Sequence, residues 1–187
     1  MSFQNRIENL TTNTGTSGQI PQSNGVGSLV SFVTPPYAQY AFSAYKTAAS
    51  NNVTGAGTTY VVAGYTEEFD IGNNFNPTTG QFTVPATGRW YISASISVLG
   101  LTAAMDTIQA RVRKTTPSIV MYLNLGNPYA RAGSSTAQDF ASSSMITQLT
   151  SGDVLELAVT IQNGAADDAD VNGGVGVTYF CAFYLGA

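Results

Sequence analysis

The chain has 187 residues, which suits one domain with a sizeable hydrophobic core plus an appendage. Only 10% of its residues are charged, against about 25% in an ordinary soluble domain, and the formal net charge is −4. The basic residues are scattered, apart from Arg111, Arg113 and Lys114, which we interpret as a solvated strand edge. Because nucleic-acid binding needs many convergent Lys and Arg side chains, we expect no nucleic-acid partner.

Neutral polar residues take the place of the missing charge: 23 Thr, 17 Ser, 13 Asn and 9 Gln. Threonine suits pleated strands, whereas Asn, Ser and the 19 Gly suit turns. The composition therefore predicts an all-β protein.

The sequence contains no histidine, which excludes Ser-His-Asp and Cys-His catalysis and histidine metal sites. Cys181 is the single cysteine, so no disulfide forms within the chain, and its apolar neighbours predict a buried, inert thiol. No run approaches the ~18 apolar residues of a membrane span, and the first residues do not resemble a signal peptide. We expect a chain that is made and folded in a cytoplasm, which fits a virion protein as well as a cellular one.

The first residues carry Phe3, Ile7 and Leu10 at spacings of four and three, which is one apolar stripe of a short helix. So short a helix is not stable alone in water and needs a partner. The segment is therefore either a disordered terminus, or an anchoring peptide or stub of a three-helix coil.

A Thr-, Ser-, Asn- and Gly-rich stretch over residues 11–28 is typical of a flexible linker. The segment Leu29–Val33 is a candidate short strand that Pro35 and Pro36 stop. We place the domain boundary near Tyr37, which divides the chain into an N-terminal arm (residues 1–36) and a domain (residues 37–187).

From there, short apolar segments alternate with turn residues, the pattern of a sandwich without long helices. The candidate strands in chain order are Ala41–Thr47, Thr59–Ala63, Glu67–Phe69, Gln81–Val84, Arg89–Val98, Thr107–Arg113, Ile119–Leu125, Ala137–Leu149, Val154–Gln162 and Gly176–Leu185.

Two of these strands differ in how their faces are built. In the strand that contains Trp90, large apolar residues alternate with small polar ones. This alternation predicts that one face lies in the core and that the other is exposed to solvent. In the last strand, Tyr179 and Phe183 lie on one face, while Phe180 and Tyr184 lie on the other. Apolar residues on both faces predict a second covered surface, and another subunit is the cover we expect. A large ligand groove is the alternative.

Several short sequence segments of the domain match those of a known family and follow one another in the same order. Residues 41–44 read AFSA, residues 69–91 read FDIGNNFNPTTGQFTVPATGRWY, residues 149–157 read LTSGDVLEL and residues 180–185 read FCAFYL. They resemble the complement C1q and tumour-necrosis-factor superfamily of trimeric globular heads. Two departures are Ala182, where the family has glycine, and the lack of a collagen-like tract before the head.

The resemblance implies a ten-stranded jelly-roll sandwich, homotrimeric and C1q/TNF-like, with its first and last strands central to the trimer. Together with the double-faced last strand, it predicts a trimer interface formed by Phe42, Tyr179, Phe180, Phe183 and Tyr184.

Two acidic groups are candidates for chemistry. Glu67, Glu68 and Asp70 lie on one strand, with Glu68 and Asp70 on the same face, and paired carboxylates could hydrolyse glycosides. We interpret them instead as solvated acids and expect no catalytic residue.

Asp167, Asp168 and Asp170 lie in an oxygen-rich loop that is a weak candidate for Ca²⁺, as family heads sometimes carry calcium near the trimer apex. The alternative is a hydrated loop tip. We expect no other cofactor or metal.

The sequence favours a structural and recognition protein: a trimeric knob of a virion fibre, spike or capsid-decoration protein. Its arm would dock to a capsid or tail protein, and its loops would bind host surface glycans. The alternatives are a bacterial surface or spore-layer protein with the same head, and a small carbohydrate-active jelly roll.

Overall fold

The structure is a computed structural model and describes residues 15–35, 39–105, 107–116, 118–125, 137–166 and 168–187. Within these ranges the chain forms strands and turns and contains no helix, and therefore no helix that could cross a membrane. The strands are β1 (Ile20–Gln22), β2 (Ser31–Val33), β3 (Ala41–Lys46), β4 (Ser50–Thr54), β5 (Thr59–Val61), β6 (Tyr65–Ile71), β7 (Phe75–Asn76), β8 (Gln81–Thr83), β9 (Gly88–Leu101), β10 (Thr107–Lys114), β11 (Ser118–Leu123), β12 (Ala137–Leu149), β13 (Val154–Gln162), β14 (Ala169–Val171) and β15 (Tyr179–Gly186).

Two antiparallel sheets form an all-β jelly-roll sandwich, as the sequence predicts. The six-stranded sheet has the order β11-β10-β13-β8-β7, with β5 also paired to β13. The seven-stranded sheet has the order β4-β14-β9-β15-β3-β6, and β12 pairs with β9. All ten candidate strands of the domain are present, but β4, β7 and β14 add three segments of two to five residues.

Large apolar side chains from both sheets fill the space between them. Trp90 is fully buried, and its indole N–H donates to the carbonyl of Ala86 at 3.1 Å. The Phe42 ring stacks on Phe75 at a centroid distance of 4.4 Å and contacts Phe82 at 4.7 Å. The alternation of β9 thus positions its apolar residues as predicted, because every second side chain points into the core.

The serines on the other face of β9 are buried, contrary to the expectation of a solvent-exposed face. Ser95 and Ser97 have no exposed surface, and Ser93 is 7% exposed. The Ser95 hydroxyl donates to the carbonyl of Val177 at 2.8 Å, and Ser97 accepts a hydrogen bond from the Gln138 amide at 2.6 Å. Neighbouring segments of the same chain therefore cover these hydroxyls and satisfy their hydrogen bonds.

A tight turn joins β7 to β8, as the NPTTG sequence predicts. The side chain of Asn76 accepts hydrogen bonds from the N–H groups of Thr78 and Thr79 at 3.0 and 3.3 Å. Gly80 closes the turn at φ 71°, a left-handed conformation that glycine adopts most easily. Phe75 and Phe82 are consequently paired in register on the two strands.

The arm contains a hairpin whose first strand lies within the segment that we interpreted as a linker. β1 pairs antiparallel with β2, with Ile20 opposite Val33, so the candidate strand at Leu29–Val33 exists in shortened form. Phe3, Ile7, Leu10 and the boundary residue Tyr37 lie outside the described residues, so the anchoring segment and the domain limits stay predictions.

Candidate functional site

An exposed apolar belt crosses the outer face of the seven-stranded sheet. It comprises Phe69 and Ile71 of β6, Tyr91 of β9, Ile146 of β12 and Phe183 of β15. Strand register brings these residues together, because Phe183 lies opposite Tyr91, which lies opposite Ile146. The Phe183 ring centroid is 6.1 Å from that of Phe69 and 6.2 Å from that of Tyr91.

The belt is too apolar to be an ordinary solvated sheet face. Four of its members are large side chains with much of their surface in water: Phe69 40%, Ile71 47%, Ile146 62% and Phe183 36%. Monomeric proteins rarely leave such residues contiguous, and a patch of this kind marks an interaction surface. The belt also lies near the C-terminal end of the chain, where the Arg89 guanidinium donates to the Ala187 carbonyl at 2.9 Å.

Three residues of the expected trimer interface are inside the subunit instead. Phe42 and Phe180 have no exposed surface, and Tyr184 is 7% exposed. They line the core face of their strands, so they have almost no surface to offer a second subunit. The prediction was wrong for these three because alternation separates the two faces of a strand but does not say which one is internal.

The other two interface candidates do lie on the outer face. Phe183 is part of the apolar belt. Tyr179 is partly exposed, and its hydroxyl lies 3.3 Å from that of Ser93. The residues that the sequence interpretation missed are Phe69, Ile71, Tyr91 and Ile146. Phe69 and Ile71 lie two residues apart on β6, and this alternation was available as a signal. Tyr91 and Ile146 have polar residues two positions away on either side, so only strand register joins them to this surface.

Cys181 lies on the same outer face, between Tyr179 and Phe183, and is buried. Burial raises the pKa of its thiol to about 11, and Glu68 adds to the rise, although hydrogen bonds with Ser93 oppose it. At neutral pH the group is therefore the protonated thiol, which is a poor nucleophile and metal ligand.

The two candidate acids of β6 have different partners. Glu68 accepts a hydrogen bond from the Ser43 hydroxyl at 2.7 Å. Asp70 lies opposite the core residue Phe42 in the register, and its carboxylate accepts from the N–H of Phe75 at 2.8 Å. Glu68 is the extra residue of a β-bulge, because Ser43 is opposite Phe69 and Ala44 is opposite Glu67. Glu68 therefore bonds to Ser43 on the outer face while Asp70 shares the face of Phe42, which corrects the expectation that the two acids share a face.

The candidate calcium loop is only partly described, because Asp167 lies outside the described residues. The Asp170 carboxylate accepts from the N–H of Asn52 at 2.7 Å, so it stabilises the backbone of β4, and Asp168 is exposed. No cluster of three or more His, Cys, Asp or Glu side chains occurs in the part of the chain that the structure describes.

The basic trio lies on β10, and its members have different partners. Arg113 forms an ion pair with the buried Glu156 at 2.7 Å, and Lys114 forms one with Asp153 at 2.7 Å. Within the described ranges, the partners of Arg111 are the neutral side chains of Thr59, Thr160 and Gln109. The trio is therefore not a simple solvated edge.

Comparison with known proteins identifies a family. Residues 41–175 match the family model described as "C1q domain". No curated protein sequence matches the chain.

Solved structures support the fold. Murine APRIL at pH 8.0 superimposes with a TM-score of 0.55 at 11% identity, over 78% of this chain and 98% of that chain. Eiger TNF from S. frugiperda superimposes with a TM-score of 0.55 at 14% identity, over 79% of this chain and 94% of that chain. At these identities the likeness extends to the jelly-roll fold alone.

Proposed function

Because this chain belongs to the C1q domain family, whose members are generally non-enzymatic binding or signalling proteins, we propose that it is a homotrimeric recognition head. C1q and TNF domains form homotrimers. The head would recognise its ligand through surfaces left exposed in the trimer.

The apolar belt is the observation that carries this proposal. An aromatic side chain buries 150–250 Å² when it is fully covered, and each buried Å² of apolar surface contributes about 25 cal/mol. Covering Phe69, Tyr91 and Phe183 would thus contribute several kcal/mol of gross association energy per subunit. A threefold arrangement would cover the belt of every copy with an equivalent surface of its neighbour.

We place the head on the surface of a virion, as the knob of a fibre, spike or capsid-decoration protein. Support comes from the neutral polar composition and from the arm that precedes the domain. In this proposal Phe3, Ile7 and Leu10 anchor the arm to a capsid or tail protein, and host surface glycans are the ligands of the head. Three linked heads would bind a repetitive glycan surface tightly through weak single contacts.

Light scattering on the full chain tests the trimer. The wild-type protein should have about three times the 19.6 kDa chain mass. Phe183→Asp places a charge in the belt and should yield monomers or aggregates. Ile119→Asp is the matched control, because Ile119 is 47% exposed on β11 of the other sheet. An unaltered trimer of the Phe183 variant would refute the interface.

Reconstitution on particles that lack the protein tests the anchor. The variant with Phe3, Ile7 and Leu10 all replaced by Ser should remain trimeric but no longer attach. Electron microscopy of a labelled copy would show where the wild-type protein sits. Attachment of the triple variant at wild-type levels would count against the arm as the anchor.

A further inference from the structure

Arg111 is the described basic residue whose charge and position suggest a ligand. Arg113 and Lys114 are paired with carboxylates. The other two described basic side chains donate to backbone carbonyl groups: Arg89 to that of Ala187, and Lys46 to that of Ala63 at 2.8 Å. Arg111 forms no ion pair with any residue that the structure describes. Among these residues its guanidinium is a positive charge without an acidic partner, on the outer face of the six-stranded sheet.

Neutral partners hold this guanidinium in place. One terminal nitrogen, Nη2, donates to the hydroxyls of Thr59 and Thr160 at 3.3 and 3.1 Å, and these hydroxyls are 2.8 Å from each other. The other, Nη1, donates to the Gln109 amide oxygen at 3.5 Å. A guanidinium has five N–H donors, so Nε–H and one Nη1–H have no partner among the described residues and can serve a ligand.

Burial and the neighbouring charge of Arg113 lower the pKa of Arg111, with Tyr122 acting in the opposite direction. The cation is thus partly desolvated and close to another cation. A carboxylate would interact more strongly with such a group than with a fully hydrated one.

An exposed aromatic residue lies on the strand next to Arg111. Tyr122 of β11 is directly opposite Arg111 of β10 in the register, so both side chains project from the same face. Tyr122 is 51% exposed, whereas the guanidinium reaches the other way, to Thr160 of β13 and Thr59 of β5. The tyrosine ring therefore offers an apolar surface on one side of Arg111, and the fixed cation lies on the other.

We propose that Arg111 and Tyr122 form a binding site for a carboxylate-bearing sugar, such as a uronic or sialic acid residue of a glycan. The carboxylate binds the free N–H donors of Arg111, and the pyranose ring packs on Tyr122. This inference deepens the proposed glycan recognition and depends on it for its biological role.

The sheet surface favours a sugar over an acidic peptide. β10 is hydrogen-bonded on both edges, to β11 and to β13, so it has no free backbone for an added peptide strand. Across the sheet, the next residues in register with Tyr122 and Arg111 are the buried Ala158 on β13 and then Val61 on β5. Around Arg111 this face carries the Tyr122 ring and the neutral side chains of Thr59, Thr160 and Gln109, with the Arg113–Glu156 ion pair further along β10. Such a face suits a ring-shaped polar ligand.

The test compares two ligands that differ only in the carboxylate. Methyl glucuronide and methyl glucoside are titrated into the full-length protein, and NMR chemical shifts give the two dissociation constants. We expect the glucuronide to bind roughly 10-fold more tightly, as a charge-assisted hydrogen bond is stronger than a neutral one. Methyl sialoside is a second acidic probe.

Three variants test the assignment. Arg111→Gln should weaken glucuronide binding roughly 10-fold, and Tyr122→Ala should weaken both sugars. Lys114→Gln is the control, since it removes the same charge from the same strand and should leave binding unchanged. If Arg111→Gln does not fold, Arg111→Lys keeps the charge without the planar fork and should still weaken binding.

Equal binding of glucuronide and glucoside, or wild-type binding by the Arg111 variant, would overturn the proposal. Equal binding of a short glutamate-containing peptide would overturn the assignment to sugars. These titrations need neither the trimer nor the particle, whereas the light-scattering and attachment experiments need no sugar. A failure of this site is therefore distinguishable from a failure of the proposed function.

Discussion

Phe42 and Phe180 meet edge to face inside a single subunit, with ring centroids 5.1 Å apart and an interplanar angle of 87°. Phe180 also lies 6.2 Å from Phe75, and neither Phe42 nor Phe180 has exposed surface. The first and last strands of the domain thus join through this contact in the core. Phe183, three residues later, belongs to the outer face.

Phe180→Ala should destabilise the fold of the subunit by about 3–5 kcal/mol, because it removes a fully buried ring and leaves a cavity. Urea unfolding at a fixed protein concentration measures the loss. Phe140→Ala is the matched control, since Phe140 is 50% exposed on β12 and its removal leaves no internal cavity. Equal losses for the two variants would contradict the placement of Phe180.

The sequence predicted every long strand of the domain because alternation and turn residues are local signals. It did not predict β4, β7 or β14, which are short. β4 and β14 exist through pairing with distant segments: Ala169 pairs with Thr54, and Asp170 with Leu99. β7 has only two residues and pairs with β8 across the NPTTG turn. Likewise, the alternation of the last strand correctly indicated two apolar faces. Which face is internal depends on packing against β3 and the opposite sheet, which no local pattern encodes.

The candidate site was predictable to a similar extent. Phe183 and Tyr179 were identified from the last strand, but the belt also needs Tyr91 and Ile146, which only register brings beside them. That Arg113 has an acidic partner, while Arg111 has none among the residues described, could not be anticipated, because Glu156 lies far along the chain from Arg113.

Gly80→Ala should destabilise the domain. Gly80 has φ 71°, and a Cβ atom there would clash with the carbonyl oxygen of Val62. The loss should exceed about 1 kcal/mol because left-handed strain adds to the clash. Thermal unfolding measures it. Gly152→Ala is the control: Gly152 has φ 91°, but a Cβ atom there meets no neighbour within 4 Å. A smaller loss at Gly80 than at Gly152 would contradict the clash.

Cys181 should not react with iodoacetamide in the native protein near neutral pH. Burial, together with Glu68, raises the pKa of its thiol to about 11 despite hydrogen bonding with Ser93, so the reactive thiolate is scarce. Mass spectrometry after alkylation measures the modified fraction. Full modification in denaturant is the positive control, and rapid labelling of the native protein would contradict the environment described for this residue.

Asp153 should make stability depend on pH in the acid range. Partial burial acts to raise the pKa of its carboxyl, but hydrogen bonds from Lys114 and the N–H of Thr150, with the Lys114 charge, outweigh it and lower the pKa below the ordinary 3.8. A carboxyl with a lowered pKa in the folded state contributes stability that is fully present above its unfolded pKa. That contribution is lost as the pH falls through the folded value.

The measurement is the difference in urea midpoint between the wild type and Asp153→Asn. This difference should be constant from neutral pH to about pH 5 and should shrink as the pH falls below 3.8.

Asp153 also accepts from the Thr150 N–H at 2.9 Å, so Lys114→Gln should reduce the pH-dependent part of the midpoint difference without abolishing it. High salt should weaken the Lys114 contribution, because both side chains are partly accessible to solvent. A midpoint difference that stays constant through this acid range would show that the folded carboxyl titrates as it does in the unfolded chain, and the ion pair would then contribute nothing to stability.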